Sequence, residues 1–228
     1  MGKWLAMSSA ANTVELVGYY GGDESHALSA WTSTSRQLDE SKSQRIGKLL
    51  HMLASAGHHT PFEKSSLHFL VNTDIATHIQ ILKHRIGVSI NAESARYKEL
   101  KEDKHYIPSD WKSIAKTKFE AFHPEKTWLE RLETHTRDSD KLYHRCIADL
   151  EPVFGRMRSK ESARYFKTYN SQIQADVMFN FRSFVHFLNL RSTEDAQLEI
   201  REVAQQMLAL VKNIDGNPFK LTLEAFTL

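Results

Sequence analysis

Four short polar segments of this chain carry side chains of the kind that bind anions and polar heterocycles. QILKHR (80–85) combines an amide with lysine, histidine and arginine, and GHHTPFEK (57–64) offers two histidines, a threonine and a glutamate. SINAESARY (89–97) gathers hydroxyls, an amide, a carboxylate and a guanidinium without helical or strand periodicity. NFRSFVHFLNLR (180–191) sets arginines among apolar neighbours, where an arginine is rare unless it is paired or binds an anion. Together these groups predict a site that holds a phosphate and a polar ring.

Taken singly, these segments are also typical of ordinary surface structure. Gln80, Lys83 and His84 are three or four residues apart, which places them on one solvated helix face. A metal site is not predicted, because His58, His59 and Glu63 have no second cluster at ligand spacing.

A thiol nucleophile is not predicted either. The single cysteine, Cys146, lies in a helical stretch far from the four segments, where Leu142, Ile147 and Leu150 indicate packing. One cysteine forms neither an internal disulfide nor a zinc–cysteine cluster.

The elements that must position these segments are a mixture of strands and helices. Residues 14–20 and 65–72 read as strands, and a helix is predicted from Asn72 or Thr73 to about Arg85. Residues 86–110 read as irregular. Further helices are predicted at about 41–56, 111–122, 127–149, 159–170, 174–189 and 194–212, the last with a capping box at 192–195, and a closing strand at 219–223. Because strands and helices do not alternate strictly, the predicted fold class is α+β.

Composition limits the function classes. The chain has 228 residues, which suits a single domain over 1–228, and its 30 Lys and Arg against 28 acidic residues give a net charge of only +2. This near-balance argues against a polybasic nucleic-acid binder. No apolar run exceeds five residues (207–211), and the apolar stretch at the start of the sequence is too short for a secretory signal. We therefore expect a cytoplasmic protein without a membrane span.

The four segments, followed by DAQLEI (195–200), resemble the flavin-dependent thymidylate synthases. That family is marked by an Arg-His-Arg triplet, a short spacer and Ser-x-Arg-Tyr. The resemblance runs from about residue 14 to residue 211, and the intervals 58–80 and 164–191 also suit the family. Four ordered motifs at family spacing are far more specific than any one of them.

The chain departs from the family pattern in its triplet and its spacer. The triplet begins with Lys83, so a point charge replaces a planar fork. The spacer 86–93 is one residue longer than is common, which puts Ala92 at the family's acidic or amide position by count and Glu93 there if the loop bulges. Two further positions differ from the common family residue: Lys64 and His186.

The resemblance implies conversion of dUMP to dTMP, with methylenetetrahydrofolate as one-carbon donor and NADPH as reductant through bound FAD. It also implies a mixed or antiparallel twisted sheet flanked by helices, and a homotetramer with shared active sites. A different class, a non-enzymatic nucleotide- or nucleic-acid-binding module, would use the same cations as phosphate contacts. We expect neither nucleic acid nor membrane as a partner.

By matched position, the resemblance implies three sets of site residues. Catalytic roles fall to Arg191 and His58. The expected cofactor-binding residues are Thr60, Glu63, Lys83, His84, Arg85, Asn180, Arg182 and His186. The expected dUMP-binding residues are Gln80, Lys83, Glu93, Ser94, Ala95, Arg96, Arg164 and Arg191.

Overall fold

The computed structural model of this chain describes residues 8–113, 118–119 and 123–228. They fall into two compact units that interleave along the chain. The first unit contains the described residues up to Asn12, together with Asn72–Ile79 and Ala92–Gln174. The second unit contains Thr13–Val71, Gln80–Asn91 and Ala175–Leu228. The single domain over 1–228 stays a prediction.

Strands and helices are mixed along the chain, which confirms the α+β class. The strands are β1 (Ser8–Ser9), β2 (Thr13–Tyr20), β3 (Ser66–Asp74), β4 (Val88–Ala92), β5 (Lys104–His105), β6 (Lys118–Phe119), β7 (His123–Thr127) and β8 (Gln172–Asn180). The α-helices are α1 (Asp23–Trp31), α2 (Glu40–Ser43), α3 (Ile46–Ser55), α4 (Ile75–Ile81), α5 (Trp128–Ala163), α6 (Phe181–Arg191), α7 (Leu198–Lys212) and α8 (Lys220–Ala225). Short 3-10 helices lie at Thr60–Glu63, Ser109–Lys112 and Arg164–Phe166.

The main sheet has four strands in the order β2-β3-β8-β4. β4 and β8 are antiparallel, because the Asn180 N–H donates to the Gly87 carbonyl at one end and the Glu93 N–H to the Gln174 carbonyl at the other, at 2.9 and 2.8 Å. The start of β2 likewise meets the end of β3, since Asn12 Nδ2 donates to Asp74 Oδ2 at 3.0 Å. The antiparallel sheet implied by the resemblance is thus confirmed; the described part of the chain also contains a two-stranded parallel pair, β1-β5.

Aromatic packing holds α6 in place in the second unit. Phe184 of α6 stacks on Phe69 of β3 with ring centroids 5.7 Å apart, and Phe187 lies 5.3 Å from Phe179 of β8. All four side chains are fully buried, so each contributes on the order of 2–3 kcal/mol of hydrophobic burial. This packing fixes the helix that carries several predicted site residues.

The first unit is built around α5. Tyr143, Ile147 and Ala163 of that helix form a buried cluster, against which Cys146 and Leu100 pack. The helix is interrupted at Gly155, whose φ of 75° and ψ of 161° are not helical. Among the described residues, none of the helices combines the length and apolarity needed to cross a bilayer.

Several predicted elements were wrong. Residues 174–180 form strand rather than helix, as the buried side chains of Ala175, Val177 and Phe179 alternate with exposed ones. Residues 220–223 of the predicted strand at 219–223 lie in helix α8, and the predicted irregular segment 86–110 contains β4. The predicted helix 111–122 lies partly outside the described residues, and within it Lys118–Phe119 is strand.

Helix boundaries also differ from the predictions. α4 begins only at Ile75, because β3 continues through Asp74, whose carboxylate accepts from the Thr77 N–H at 2.9 Å. It ends at Ile81, so the triplet that starts with Lys83 follows the helix. α7 begins after Gln197, which makes no side-chain cap bond, so the capping box predicted at 192–195 was wrong.

Candidate active site

Arg191, the last residue of α6, joins two of the predicted site segments in the second unit. Its Nε donates to His84 Nε2 at 3.0 Å, and its Nη1 donates to Gln80 Oε1 at 3.3 Å. Gln80 lies in the last turn of α4 and His84 follows that helix. A cation at a helix C-terminus is also favoured by the helix dipole.

His84 is a neutral hydrogen-bond acceptor for this arginine. Its side chain is buried, and burial lowers the pKa of His84 to about 4, with the positive charge of Arg191 and the neighbouring His186 adding to the effect. Because Nε2 accepts from Arg191, the ring proton must be on Nδ1. The ring also lies edge-on to Phe187, with centroids 5.0 Å apart, which fixes its plane.

The backbone that follows the triplet 83–85 packs closely against the start of α6. Gly87 has a φ of +65°, and a Cβ there would come within 2.2 Å of Asn180 Nδ2 and 2.4 Å of Ser183 Oγ. Asn180 caps α6 by accepting from the Ser183 N–H at 2.8 Å. Ser183 Oγ in turn donates to the Ile86 carbonyl at 2.7 Å. These bonds hold the backbone after Arg85 against the helix.

Cationic side chains of the second unit match the charge of a phosphorylated ligand. Lys83 and Arg85 are exposed and have no ion-pair partner among the described residues. Arg182 pairs with Glu63 of the 3-10 helix Thr60–Glu63 at 2.5 Å. This set of cationic donors fits a ligand that carries phosphate groups.

The Ser-x-Arg-Tyr segment forms a single turn in the first unit. The N–H groups of Tyr97 and Lys98 both donate to the Ser94 carbonyl, at 3.1 and 3.0 Å. Arg96 pairs with Glu161 of α5, with Nε and Oε1 2.6 Å apart, and buried Lys160 donates to the Tyr97 carbonyl at 2.6 Å. The turn is therefore attached to α5 through both a side chain and the backbone.

The structure distributes the predicted residues over both units. The catalytic and cofactor-binding residues all lie in the second unit, as do three of the predicted dUMP-binding residues: Gln80, Lys83 and Arg191. The other dUMP-binding residues belong to the first unit: Glu93, Ser94, Ala95, Arg96 and Arg164.

Direct contacts link only some of these residues. Exposed His58 lies in the loop after α3, and exposed Thr60 begins the 3-10 helix. Arg164 is exposed at the start of its own 3-10 helix, and Glu93 pairs with Lys98 at 2.7 Å. Exposed His186 lies 6.1 Å from the His84 ring.

Sequence reasoning missed Glu161 and Ser183, whose contacts are given above. It also missed Gln197, which accepts from Gln80, and Glu199, which accepts from Gln197. Glu161 stands one helical turn before Arg164, a spacing that brings side chains of a helix to the same face. Gln197 and Glu199 lie in DAQLEI, which contributed to the resemblance without an assigned role. Ser183 follows the cap residue Asn180 by three positions, where its N–H needs an acceptor.

The antiparallel sheet and the helices make this an α+β protein. Its candidate site contains a buried imidazole that is hydrogen-bonded to an arginine, and its cationic side chains suit phosphorylated ligands. The family model described as thymidylate synthase complementing protein matches residues 15–215. A flavin-dependent thymidylate synthase of Thermosipho melanesiensis is 32% identical over 204 residues, covering 87% of this chain and 85% of the relative. The chain belongs to the flavin-dependent thymidylate synthase family.

Two solved structures of PolB from Streptomyces cacaoi, a UMP/dUMP methylase, have a similar fold. The structure bound with 5-Br dUMP has a TM-score of 0.76 at 27% identity and covers 98% of this chain and 97% of that chain. The structure bound with 5-Br UMP has a TM-score of 0.73 at 27% identity, with 97% and 95% covered.

Proposed function

We propose that this chain is a flavin-dependent thymidylate synthase that converts dUMP to dTMP, with methylenetetrahydrofolate as one-carbon donor and NADPH as reductant. The observation that carries the proposal is the hydrogen-bonded group of Gln80, His84 and Arg191, which come from two of the four family segments and meet in one unit. FAD, when bound, would supply hydride transfer from NADPH to the one-carbon adduct of the substrate.

The flavin would be held by the cationic side chains and the junction at Gly87. Lys83 and Arg85 offer exposed positive charge for its phosphates, and Arg182 is oriented by Glu63. The remaining proposed cofactor-binding residues are Thr60, His84, Asn180 and His186. His84 keeps its Nδ1 proton as a donor because Nε2 is occupied by Arg191.

The phosphate of dUMP would be bound by the first unit's arginines. Arg164 is exposed and has no ion-pair partner among the described residues, so its fork is available for an anion. Arg96 would exchange Glu161 for the phosphate, with Ser94 Oγ and the backbone at Ala95 as further contacts and Glu93 beside them. Two charge-assisted contacts of this kind are stronger than neutral ones.

Arg191 would act on the pyrimidine ring. A guanidinium held in place by two hydrogen bonds is a preorganised positive charge, and such a charge stabilises negative charge that develops on the ring during reaction. Gln80 and Lys83 would complete the nucleotide contacts of the second unit. His58 is proposed as the second catalytic residue on the resemblance.

Two further features belong to the proposal. One is the homotetramer with shared active sites that the resemblance implies, and sedimentation or light scattering of the purified protein tests it. The cytoplasmic location is likewise proposed, and fractionation of the source cells tests it.

The enzyme is tested by spectrum and by turnover. Purified protein should be yellow with flavin absorbance, and labelled dUMP should become dTMP only when methylenetetrahydrofolate, NADPH and FAD are all present. UMP is assayed in parallel, because one similar structure holds 5-Br UMP. If product forms from UMP and not from dUMP, UMP is the substrate of the enzyme. A colourless protein that neither binds FAD nor makes dTMP would favour the nucleotide- or nucleic-acid-binding module.

A further inference from the structure

The hydrogen bonds of Arg191 continue beyond Gln80 into helix α7. Gln80 Nε2 donates to Gln197 Oε1, and Gln197 Nε2 donates to Glu199 Oε2 at 2.6 Å. All of these side chains belong to the second unit. They form one series of hydrogen bonds, which runs from the carboxylate of Glu199 through two amides to Arg191 and ends at the imidazole of His84.

The carboxylate of Glu199 and the guanidinium of Arg191 determine which group donates in every hydrogen bond between them. An ionised carboxylate only accepts hydrogen bonds and a guanidinium only donates them. Each of the two amides must therefore turn its NH₂ group toward Glu199 and its oxygen toward Arg191. With Glu199 as the terminal acceptor, Gln80 has only one orientation in which both of its bonds are made.

The orientation of Gln80 decides which donors of Arg191 remain for a ligand. His84 takes the Nε proton and Gln80 takes one Nη1 proton, and the other three N–H groups have no partner among the described residues. These three are one N–H of Nη1 and both of Nη2, and a guanidinium can donate from its two terminal nitrogens to two adjacent acceptors in one plane. A ring carbonyl beside a ring nitrogen offers such a pair. A flipped Gln80 amide would turn its NH₂ group toward Arg191, and the hydrogen bond from Arg191 Nη1 to Gln80 Oε1 would be lost.

Glu199 is anchored on a rigid element, as an orienting group must be. Its side chain is buried, and it lies in the first turn of α7, where a carboxylate is favoured by the helix dipole. Ile200, Val203 and Ala204 of the same helix are fully buried in the core. Gln197 is exposed immediately before the helix and reaches Gln80 from there.

We propose that Glu199 and Gln197 are positioning residues for the pyrimidine of the substrate nucleotide, acting through Gln80 on Arg191. The proposal rests on the proposed function, because it assigns the remaining three N–H groups of Arg191 to the ring of dUMP. Neither residue touches the substrate; both fix the direction in which Gln80 accepts from Arg191.

The test compares Glu199→Leu, Glu199→Gln and Gln197→Leu in the FAD-loaded enzyme, with dUMP affinity measured by calorimetry as well as turnover. Glu199→Leu and Gln197→Leu should each weaken dUMP binding about tenfold, which is about 1.4 kcal/mol. Glu199→Gln keeps an acceptor oxygen, so its affinity should stay within about threefold of wild type. Gln205→Leu, at an exposed glutamine of the same helix, is the matched control and should change nothing.

Coupling to Gln80 separates positioning from a structural role. In a Gln80→Leu background, Glu199→Leu should add no further loss of dUMP affinity, because the series of hydrogen bonds is already broken. A purely structural residue would lower the melting temperature and leave the affinity of the folded enzyme unchanged, which would overturn the proposal. Additive losses of affinity in the double variant would overturn it as well. If Glu199→Leu fails to fold, Gln197→Leu carries the same test from outside the helix. Failure of wild type to bind dUMP or form dTMP would instead refute the proposed function.

Discussion

His84, the hydrogen-bond partner of Arg191, is held neutral by burial and by the guanidinium itself, with a pKa of about 4. This pairing avoids placing two positive charges side by side. It also leaves the charge of Arg191 uncompensated by any carboxylate in direct contact among the described residues. An uncompensated, oriented cation is the form in which an arginine best stabilises a negative charge on a substrate.

Replacing Arg191 with Ala should abolish dTMP formation while FAD stays bound. Losing one preorganised electrostatic contact typically costs about 3–4 kcal/mol of transition-state stabilisation, or a 10²- to 10³-fold loss of kcat. Steady-state turnover at saturating dUMP and flavin absorbance of the same sample measure both effects. Arg191→Lys keeps the charge without the planar fork and should recover only part of the loss. Near-normal turnover of Arg191→Ala would rule out its catalytic role.

Replacing Cys146 with Ser should leave thymidylate synthesis nearly intact. The sulfur is half-buried beside the cluster of Tyr143, Ile147 and Ala163 in the first unit, so the expected cost is structural, roughly 1–2 kcal/mol of unfolding free energy. Turnover and urea unfolding of the same preparation measure the two quantities. Loss of activity in a folded Cys146→Ser enzyme would indicate a thiolate mechanism instead.

The junction between Gly87 and α6 shows how an element positions a site. The cap of α6, the Ser183 bond to the Ile86 carbonyl and the Asn180 bond to the Gly87 carbonyl all converge within one turn of the helix. The polar residues of α6 therefore keep a fixed relation to the triplet that begins at Lys83. Packing of Phe184 and Phe187 on the sheet holds the other face of the helix.

Gly87→Ala should destabilise the protein and release FAD. The new Cβ would meet Asn180 Nδ2 at 2.2 Å and Ser183 Oγ at 2.4 Å, in addition to the strain of a φ of +65°. Gly216→Ala is the matched control, because its φ is +70° and a Cβ there meets no heavy atom of the described residues within 4 Å. Urea unfolding should show about 2 kcal/mol more loss for Gly87→Ala than for the control. Equal losses would show that strain alone matters at Gly87.

Local patterns in the sequence predicted elements well where their period was clear, and poorly where a neighbouring element obscured it. Strand β2 and helix α6 were predicted, because their alternation and their polar-apolar spacing are continuous. The strand β8 directly adjoins α6, and its alternation of Ala175, Val177 and Phe179 was read as a helix continuing backwards. Helix α8 was mistaken for a strand because six residues are too few to separate the two periods.

The candidate site could be predicted from the sequence as a set of residues and not as a network. Motif order identified Gln80, His84 and Arg191, since each belongs to a family segment. Their mutual hydrogen bonds depend on where α4 ends and α6 ends, and the end of α4 was predicted four residues too late (residue 85 against Ile81). The partner Glu199 lies in a third helix, α7, and Gln197 immediately precedes that helix, whose approach to Gln80 no local pattern encodes.

At the scale of the whole molecule, buried polar networks tie distant parts of the second unit together. His26 of α1 is fully buried, with Nε2 2.7 Å from Ser65 Oγ and Nδ1 2.9 Å from Thr222 Oγ1. Thr222 in turn donates to Asp23 Oδ1 at 2.6 Å, so residues nearly 200 positions apart share one network. Burial of this kind stabilises only the neutral imidazole, and it makes the fold sensitive to acid.

The His26 network should make the protein lose stability as pH falls from about 6.5 to about 4. Burial lowers the pKa of His26 from 6.5 to about 4, so in this window the unfolded chain binds a proton that the native state does not. The contribution of neutral His26 to the free energy of unfolding is fully present above pH 6.5, and roughly 3 kcal/mol of it is lost across the window. Urea unfolding at pH 7 and pH 4.5 should therefore differ less in His26→Gln, which does not titrate, than in wild type. His51→Gln, at an exposed position of α3, is the control and should keep the wild-type difference. A His26→Gln protein with the full wild-type difference would mean that the acid sensitivity arises from other groups.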